Sequence, residues 1–408
     1  MNCGLLGRKL GHSYSPQIHA QLGDYRYCLF EKEPEEIAAF LKSGDFTGLN
    51  VTIPYKKDVI PYLDELSAAA QWLGAVNTVV RRPDGSLIGH NTDYFGFQWL
   101  VRKSGLEVAG KKVLVLGSGG ASNTAVAVLR ELGANVVVIS RTGENNYENL
   151  PRHADAAVIV NATPVGMYPN TGKSPLSLEL FPWLEGVLDV VYNPARTQIL
   201  LEAERRGLVA LNGLWMLVAQ AKESAEWFTG EKISDAVIAA IHHSLRLQME
   251  NVILIGMPGC GKTTVGQQLA QKLKKKFVDA DSALEEATGR KITDIIPQDG
   301  AEAFRRMESE ILEDLGKRSG LVIATGGGCV TQARNYPLLH QNGTLFWLTR
   351  DLKKLPTDGR PFSQMESLER MFEVREPLYR QFADAVISND GTLEQTLAGI
   401  RQKLEETV

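Results

Sequence analysis

Residues 252–264 read Val252-Ile253-Leu254-Ile255-Gly256-Met257-Pro258-Gly259-Cys260-Gly261-Lys262-Thr263-Thr264. A continuous apolar run enters a turn with glycines at its first and sixth positions, and Lys-Thr closes it. Val265, Leu269 and Leu273 then recur at helical spacing. The spacing predicts strand, phosphate loop and helix. Glycines let backbone N–H groups turn inward around phosphate oxygens. Lys262 would place its charge on the β- and γ-phosphates of a nucleotide, and the Thr263 hydroxyl would ligate Mg²⁺.

A second glycine-rich turn lies upstream, Gly117-Ser118-Gly119-Gly120-Ala121, after the apolar run Lys112–Leu116. The third glycine of a GxGxxG pattern is replaced by Ser122, so the match is incomplete. The context is a βαβ unit: a helix to Leu132, a turn at Gly133-Ala134 and a strand to Ser140. Such a unit presents a helix N-terminus to a pyrophosphate. No acid occurs between Glu131 and Glu144 to accept ribose hydroxyls. Arg141, between Ser140 and Thr142, offers a cation for a 2′-phosphate, so NADP is expected over NAD. Further apolar runs at Val187–Val191 and Leu321–Ala324 suit strands buried on both faces of parallel sheets. The class is α/β.

The 408 residues allow two to four domains. With 44% hydrophobic and 23% charged residues the composition is that of a globular protein. A net charge of −4 gives no general attraction to nucleic acid or an anionic membrane. No apolar stretch reaches the length of a membrane span, and the N-terminus carries no secretory pattern. Cys3, Cys28, Cys260 and Cys329 form no CxxC pair, which points to a reducing, cytoplasmic setting. The run Lys272–Lys276 reads as a solvated helix end. The two nucleotide turns imply two units, joined near Gln248–Asn251 without a Gly/Ser or Pro linker.

After the phosphate loop, Phe277-Val278-Asp279-Ala280-Asp281 reads as a strand with two carboxylates on one face. They could polarise a substrate hydroxyl and hold a metal-bound water, or be solvated turn carboxylates. Ser282 and Glu285 form a capping-box pattern. Phe304-Arg305, Thr325-Gly326-Gly327-Gly328, Gly359-Arg360-Pro361 and Arg375-Glu376-Pro377-Leu378-Tyr379 follow. In this order the motifs of residues 250–408 resemble shikimate kinase. The resemblance implies that Asp281 binds and activates a substrate hydroxyl and that Asp279 supports Mg²⁺ through water. It also implies that Arg305, Arg375 and the turn around Gly327 grip a carboxylate. Arg360 would neutralise the transferring phosphoryl group from a lid. Gly259, Cys260, Gly261, Lys262, Thr263 and Thr264 would surround ATP. The stretch Arg350–Arg360 is short for that family's lid. Cys260, beside Lys262 at a helix start, raises the question of a lowered thiol pKa; an ordinary loop cysteine is the plainer reading.

The first hundred residues hold polar clusters: Ser13-Tyr14-Ser15-Pro16, Asn50–Lys56, Ala75–Thr78 and Asn91-Thr92-Asp93. Pro83-Asp84-Gly85-Ser86 predicts a hairpin that sets Asn77 opposite Asp93 to within a residue. Asp93 could equally be a helix N-cap. Together with Asn161–Met167, Asp189–Tyr192 and Asn212–Ala221, these clusters make residues 1–245 similar to shikimate dehydrogenase. The resemblance implies that Ser13 and Ser15 bind the substrate carboxylate. Thr52, Asn77, Tyr192 and Gln220 would hold ring hydroxyls or the carboxylate. Lys56 and Asp93 would form the proton-transfer pair. Thr163, Val190 and Gly213 would line the nicotinamide side of NADP(H).

The expected organisation is therefore a substrate domain over 1–100, a Rossmann-type domain over 101–214, a helix over about 215–245 that packs back, and a P-loop domain over 250–408. The resemblances imply reduction of 3-dehydroshikimate to shikimate, then phosphorylation of shikimate. Quinate oxidation, another polyol as phosphoryl acceptor, or one half acting as a non-catalytic nucleotide-binding module remain as alternatives.

Overall fold

The computed structural model describes residues 1–11, 13–355 and 367–406. The chain divides into two compact units. One comprises residues 1–165, 173–192 and 199–243, the other residues 166–172, 193–198 and 244–408.

The first unit contains two sheets. Strands β1 (Asn2–Gly7), β2 (Arg26–Glu31), β3 (Gly48–Val51), β4 (Glu65–Leu66), β5 (Thr78–Arg81) and β6 (Leu87–His90) form a sheet in the order β2-β1-β3-β5-β6-β4. This sheet is mixed. β1 pairs parallel with β2 and β3, whereas β5 is antiparallel to both β3 and β6. The tight turn through Gly85, at φ 89°, connects β5 directly to β6 and so imposes antiparallel pairing there. The register sets Thr78 opposite His90, and the Asn77 N–H donates to the His90 carbonyl at 3.1 Å. Asp93 opens the helix Asp93–Ser104.

The second sheet holds β7 (Lys112–Leu116), β8 (Asn135–Ile139), β9 (Val158–Asn161), β10 (Gly186–Asp189) and β11 (Val209–Leu211), all parallel, in the order β11-β10-β9-β7-β8. Both faces are covered. Leu114, Leu116, Ile159 and Val187 pack into one core, while Val113, Val115, Val158 and Val160 pack into another with Phe97 and Leu100. Alternate side chains of one strand thus feed opposite layers. The strand order reverses between β7 and β9. Ligands of such sheets bind outside the carboxyl ends at that switch point. Here the Gly117 turn follows β7 and Thr163 follows β9.

The second unit is built on β12 (Asn251–Ile255), β13 (Lys276–Asp279), β14 (Leu321–Ala324), β15 (Gly343–Thr349) and β16 (Ala385–Ser388), again all parallel, ordered β13-β14-β12-β15-β16. β12 and β14 are buried at every position, as continuous apolar runs require. The phosphate loop leaves the central strand β12 and feeds the helix Lys262–Leu273. At the end of that helix Lys272, Lys274 and Lys276 are exposed, as a solvated helix end requires, and Lys275 alone departs from that reading. Lys274 adopts φ 54°, and Lys275 turns inward to donate to the carbonyls of Gln248 and Glu250. Its burial lowers the Lys275 pKa to about 8.

Candidate active sites

In the first unit, the cluster next to β5 and β6 is polar and largely buried. Lys56 Nζ donates to Asp93 Oδ2 at 2.6 Å. Asn77 Nδ2 donates to Asp93 Oδ1 at 3.0 Å, so both carboxylate oxygens are engaged. Thr92, not Asp93, is the N-cap residue of the following helix. Asp93 lies one position inside, which leaves its carboxylate free to face Lys56. Gln220 Oε1 accepts from Asn77 at 3.4 Å. It is carried there by the helix Leu214–Thr229, which begins at Gly213.

Ser13 and Ser15 stand together, with hydroxyls 3.1 Å apart, and the Ser15 N–H donates to Ser13 Oγ. Thr52 follows β3 directly, and its N–H donates to the Leu6 carbonyl at 2.9 Å. Tyr192 meets Tyr14 edge-on at 6.3 Å between ring centroids. That contact places Tyr192 beside the Ser13–Ser15 turn.

At the dinucleotide side, Gly119 is the N-cap of the helix Gly120–Glu131. A Cβ built on Gly119 or Gly120 meets nothing within 4 Å, so the turn through Ser118 and Ala121 presents an open surface to a phosphate. Ser122, where the third glycine of the pattern would stand, is buried, and its hydroxyl donates to the Gly117 carbonyl at 2.7 Å. It therefore braces the turn. Ser140 is half-buried, while Arg141 and Thr142 are exposed at the end of β8. The Thr163 hydroxyl and N–H both donate to Asn161 Oδ1, which shapes the loop after β9. Gly213 cannot be another residue without a backbone shift, because a Cβ would lie 2.1 Å from the Val190 carbonyl oxygen. Val190 and Gly213 are thus brought into contact.

In the second unit, one cleft of about 620 Å³ is lined by the phosphate loop, Asp279, Asp281, Arg305, the Gly326–Gly328 turn and Arg375. Gly259, Gly261, Lys262, Thr263 and Thr264 all face it. Lys262 Nζ donates to the Gly256 carbonyl at 2.8 Å. The Cys260 side chain is buried and is not among the residues that line the cleft, and its backbone N–H donates to the Met257 carbonyl. Thr263 Oγ1 donates to Asp279 Oδ2 at 2.9 Å. A hydroxyl beside a carboxylate is an oxygen pair of the type that Mg²⁺ accepts, with phosphates and water completing its shell.

The capping-box reading of Ser282 and Glu285 is corrected. Asp279 is the N-cap, accepting from the N–H groups of Asp281 and Ser282, and the helix runs Ala280–Thr288. Glu285 instead accepts from the Ile292 N–H and Lys291. Asp281 is left to face the cleft. Burial, and then the charges of Glu308 and Asp279, push its carboxyl up to about 6, against the pull of Lys262 and Arg305.

Arg305 and Glu308, one turn apart on the helix Ala301–Lys317, form an ion pair at 2.6 Å. A Cβ on Gly328 would lie 2.0 Å from Arg305 Nη2, so this guanidinium rests on the glycine turn. The Tyr379 hydroxyl donates to the Gly327 carbonyl from the helix that carries Arg375. Arg360 falls outside the described residues.

Over 265 residues the chain is 35% identical to the shikimate dehydrogenase (NADP(+)) of Clostridium perfringens (strain SM101 / Type A), covering 60% of this chain and 97% of that relative. The chain belongs to the shikimate dehydrogenase family. Residues 5–79 match the model of the shikimate dehydrogenase substrate binding domain. The crystal structure of shikimate dehydrogenase 1 from Peptoclostridium difficile superposes with a TM-score of 0.55 at 38% identity, covering 60% of this chain and 98% of that one. The shikimate 5-dehydrogenase of Thermus thermophilus, solved with NADP(H) and shikimate, gives 0.54 at 32% identity, with 60% and 99% covered. Residues 258–405 match the shikimate kinase family model, so a shikimate kinase domain follows the dehydrogenase in the same chain.

Sequence reasoning passes over three residues of these sites. Glu308 could be found from its i, i+3 spacing to Arg305. Thr92, whose hydroxyl lies 3.0 Å from Asn77 Nδ2, sits between two residues already singled out. Ser224 carries no local signal, because its partners are distant in sequence. Among the described residues no helix is long and apolar enough to cross a membrane.

Proposed function

We propose that the chain performs two consecutive steps: NADPH-dependent reduction of 3-dehydroshikimate to shikimate, then MgATP-dependent phosphorylation of shikimate to shikimate 3-phosphate. The observation that carries the reading is the Lys56–Asp93 contact of 2.6 Å, held in place by Asn77. NADPH supplies the hydride when bound. Negative charge then develops on the substrate oxygen, and the Lys56 ammonium stabilises it and donates the proton. Asp93 keeps that ammonium oriented. Ser13 and Ser15 hold the carboxylate, and Thr52, Asn77, Tyr192 and Gln220 hold the ring substituents. Arg141 meets the 2′-phosphate, and the turn Gly117–Ala121 meets the pyrophosphate.

In the kinase domain, Asp281 accepts the proton of the attacking hydroxyl. Arg305, anchored by Glu308, and Arg375 hold the substrate carboxylate beside the Gly326–Gly328 turn. Lys262 and the loop N–H groups hold ATP phosphates. Thr263 and Asp279 hold Mg²⁺, which neutralises phosphate charge when bound. Arg360 is assigned to the transferring phosphoryl group on the resemblance alone. All four cysteines are free thiols, which suits a reducing cytoplasm. No nucleic-acid or membrane partner is invoked.

The test is to supply 3-dehydroshikimate, NADPH and MgATP together, then omit each nucleotide. Shikimate 3-phosphate is expected with both, and shikimate alone without ATP. Failure to consume 3-dehydroshikimate with NADPH, or shikimate with MgATP, would overturn the corresponding half.

A further inference from the structure

Behind the Lys56–Asp93 pair lies a closed group of uncharged polar side chains. Asn50, Asn77, Thr78, Thr92 and Ser224 are each no more than 5% exposed. Ser224 Oγ lies 2.7 Å from Asn50 Nδ2, 2.8 Å from Thr78 Oγ1, 2.9 Å from Thr92 Oγ1 and 3.0 Å from the Gln220 carbonyl. It sits one helical turn beyond Gln220.

The donors that have no freedom fix the directions of these bonds. The Thr92 N–H must find an acceptor, and it finds Asn77 Oδ1 at 2.7 Å. The Asn77 amide is thereby oriented, with Nδ2 turned to Asp93 Oδ1 and to Thr92 Oγ1. Thr92 Oγ1 accepts from that Nδ2, and its own proton has Ser224 Oγ at 2.9 Å, Thr78 Oγ1 at 3.2 Å, Asn77 Oδ1 at 3.2 Å and Gln220 Oε1 at 3.5 Å within reach. Ser224 Oγ takes it. Asn50 Nδ2 supplies the second bond that Ser224 accepts, since Asn50 Oδ1 is occupied by the Tyr27 hydroxyl at 2.8 Å. A hydroxyl accepts two such bonds and donates one. Ser224 spends its donor within the same group, on the Gln220 carbonyl or Thr78.

We infer that Ser224 is a positioning residue for the reduction. It draws the Thr92 hydroxyl proton away from Asn77, so that Thr92 Oγ1 accepts from Asn77 Nδ2 beside the bond to Asp93, and it ties Gln220 to the same group. The inference rests on the functional reading of the dehydrogenase. Without the hydroxyl, Asn50 Nδ2 and the Thr92 hydroxyl lose their shortest partner in a buried setting and keep only partners at 3.2–3.5 Å. The Thr92 proton then turns to Asn77 Oδ1, and Asn77 Nδ2, which holds Asp93, loses Thr92 Oγ1 as its second acceptor.

Ser224→Ala and Ser224→Cys would be compared with the unaltered chain by steady-state kinetics, at a temperature where thermal melting shows all three folded. Phosphorylation of added shikimate by each preparation counts the intact chains. Both variants are expected to lose about tenfold in kcat/KM for 3-dehydroshikimate, with the KM for NADPH and the kinase rate unchanged. The cysteine variant fills the position with a somewhat larger thiol that is a poor acceptor, and it decides the matter where the alanine variant is unstable. Wild-type kcat/KM for 3-dehydroshikimate in either folded variant would overturn the inference, and so would an equal loss in the KM for NADPH. An unaltered chain that leaves 3-dehydroshikimate unreduced would overturn the functional reading itself.

Discussion

The two candidate active sites place an aspartate in opposite electrostatic settings. In the dehydrogenase, Asp93 faces a cation: Lys56 takes one oxygen and Asn77 the other. In the kinase domain, Asp281 is buried with Glu308 and Asp279 nearby, and burial first and those charges second push its carboxyl up to about 6. A carboxylate beside an ammonium keeps that ammonium in place and is not itself the group that takes up a proton. A carboxylate crowded by others binds protons more readily, which is what a base for an alcohol needs. The same side chain is assigned to holding in one site and to proton transfer in the other, by its burial and its neighbours.

The sharpest way to break this comparison is to remove the ammonium. Lys56→Ala takes away the proposed proton donor and leaves Asp93 without its cation. Reduction of 3-dehydroshikimate should fall by about 10³-fold or more, while phosphorylation of added shikimate by the same preparation is unchanged. Loss of both activities would show that the two sites are not independent.

Asp281→Asn tests the other half. Phosphorylation should fall by about 10²- to 10³-fold, with reduction untouched. Stability should move in the opposite direction. The folded Asp281 binds its proton more tightly than an unfolded aspartate does, so its contribution is favourable below pH 4 and is lost as pH rises through about 6. At pH 7.5 the ionised side chain therefore destabilises the fold, and asparagine relieves this by on the order of 1–2 kcal/mol. A melting curve at pH 7.5 and another near pH 4 would check it: the variant should melt higher at pH 7.5, with the gain shrinking at pH 4. In the unaltered chain, kcat/KM for phosphorylation should fall below pH 6, where Asp281 becomes protonated. A reduction rate that loses activity along the same limb would erase the contrast between the sites.

Much of this arrangement is legible in the sequence because its parts are local. The loop Gly256–Thr263, the pair Asp279 and Asp281, and the turn Gly326–Gly328 each lie within a few residues, and a strand or helix beside them fixes their direction. Asn77 and Asp93 are separated by a hairpin whose turn is itself marked by Pro83–Ser86. The capping of the helix after β13 escapes a sequence reading for a physical reason. Ser282 and Asp279 are both good caps, and only the backbone direction at the end of β13 decides which one reaches the free N–H groups first. Lys275 escapes it because a charge run looks solvated until the carbonyls of Gln248 and Glu250 are seen to close over it. Ser224 is the extreme case. Its partners lie at positions 50, 78, 92 and 220, and no window of sequence contains them. The family resemblance supplies residue roles, such as that of Arg360, which the local chemistry does not by itself establish.

The smallest effect is expected at Arg141. It stands exposed at the end of β8, beside the open turn through Gly119 and Gly120. An exposed charge pair is weakened by solvent and salt, so its removal costs far less than the loss of a buried partner. Arg141→Ala should therefore raise the KM for NADPH by only about fivefold and leave that for NADH nearly unchanged, because NADH has no 2′-phosphate to lose a contact. The ratio of the two KM values carries the argument, since a general loosening of the loop would raise both. The difference should shrink further as ionic strength rises, in the unaltered chain and not in the variant. Equal changes for the two cofactors would remove Arg141 from the specificity site, and with it the inference that a missing acid between Glu131 and Glu144 selects NADP.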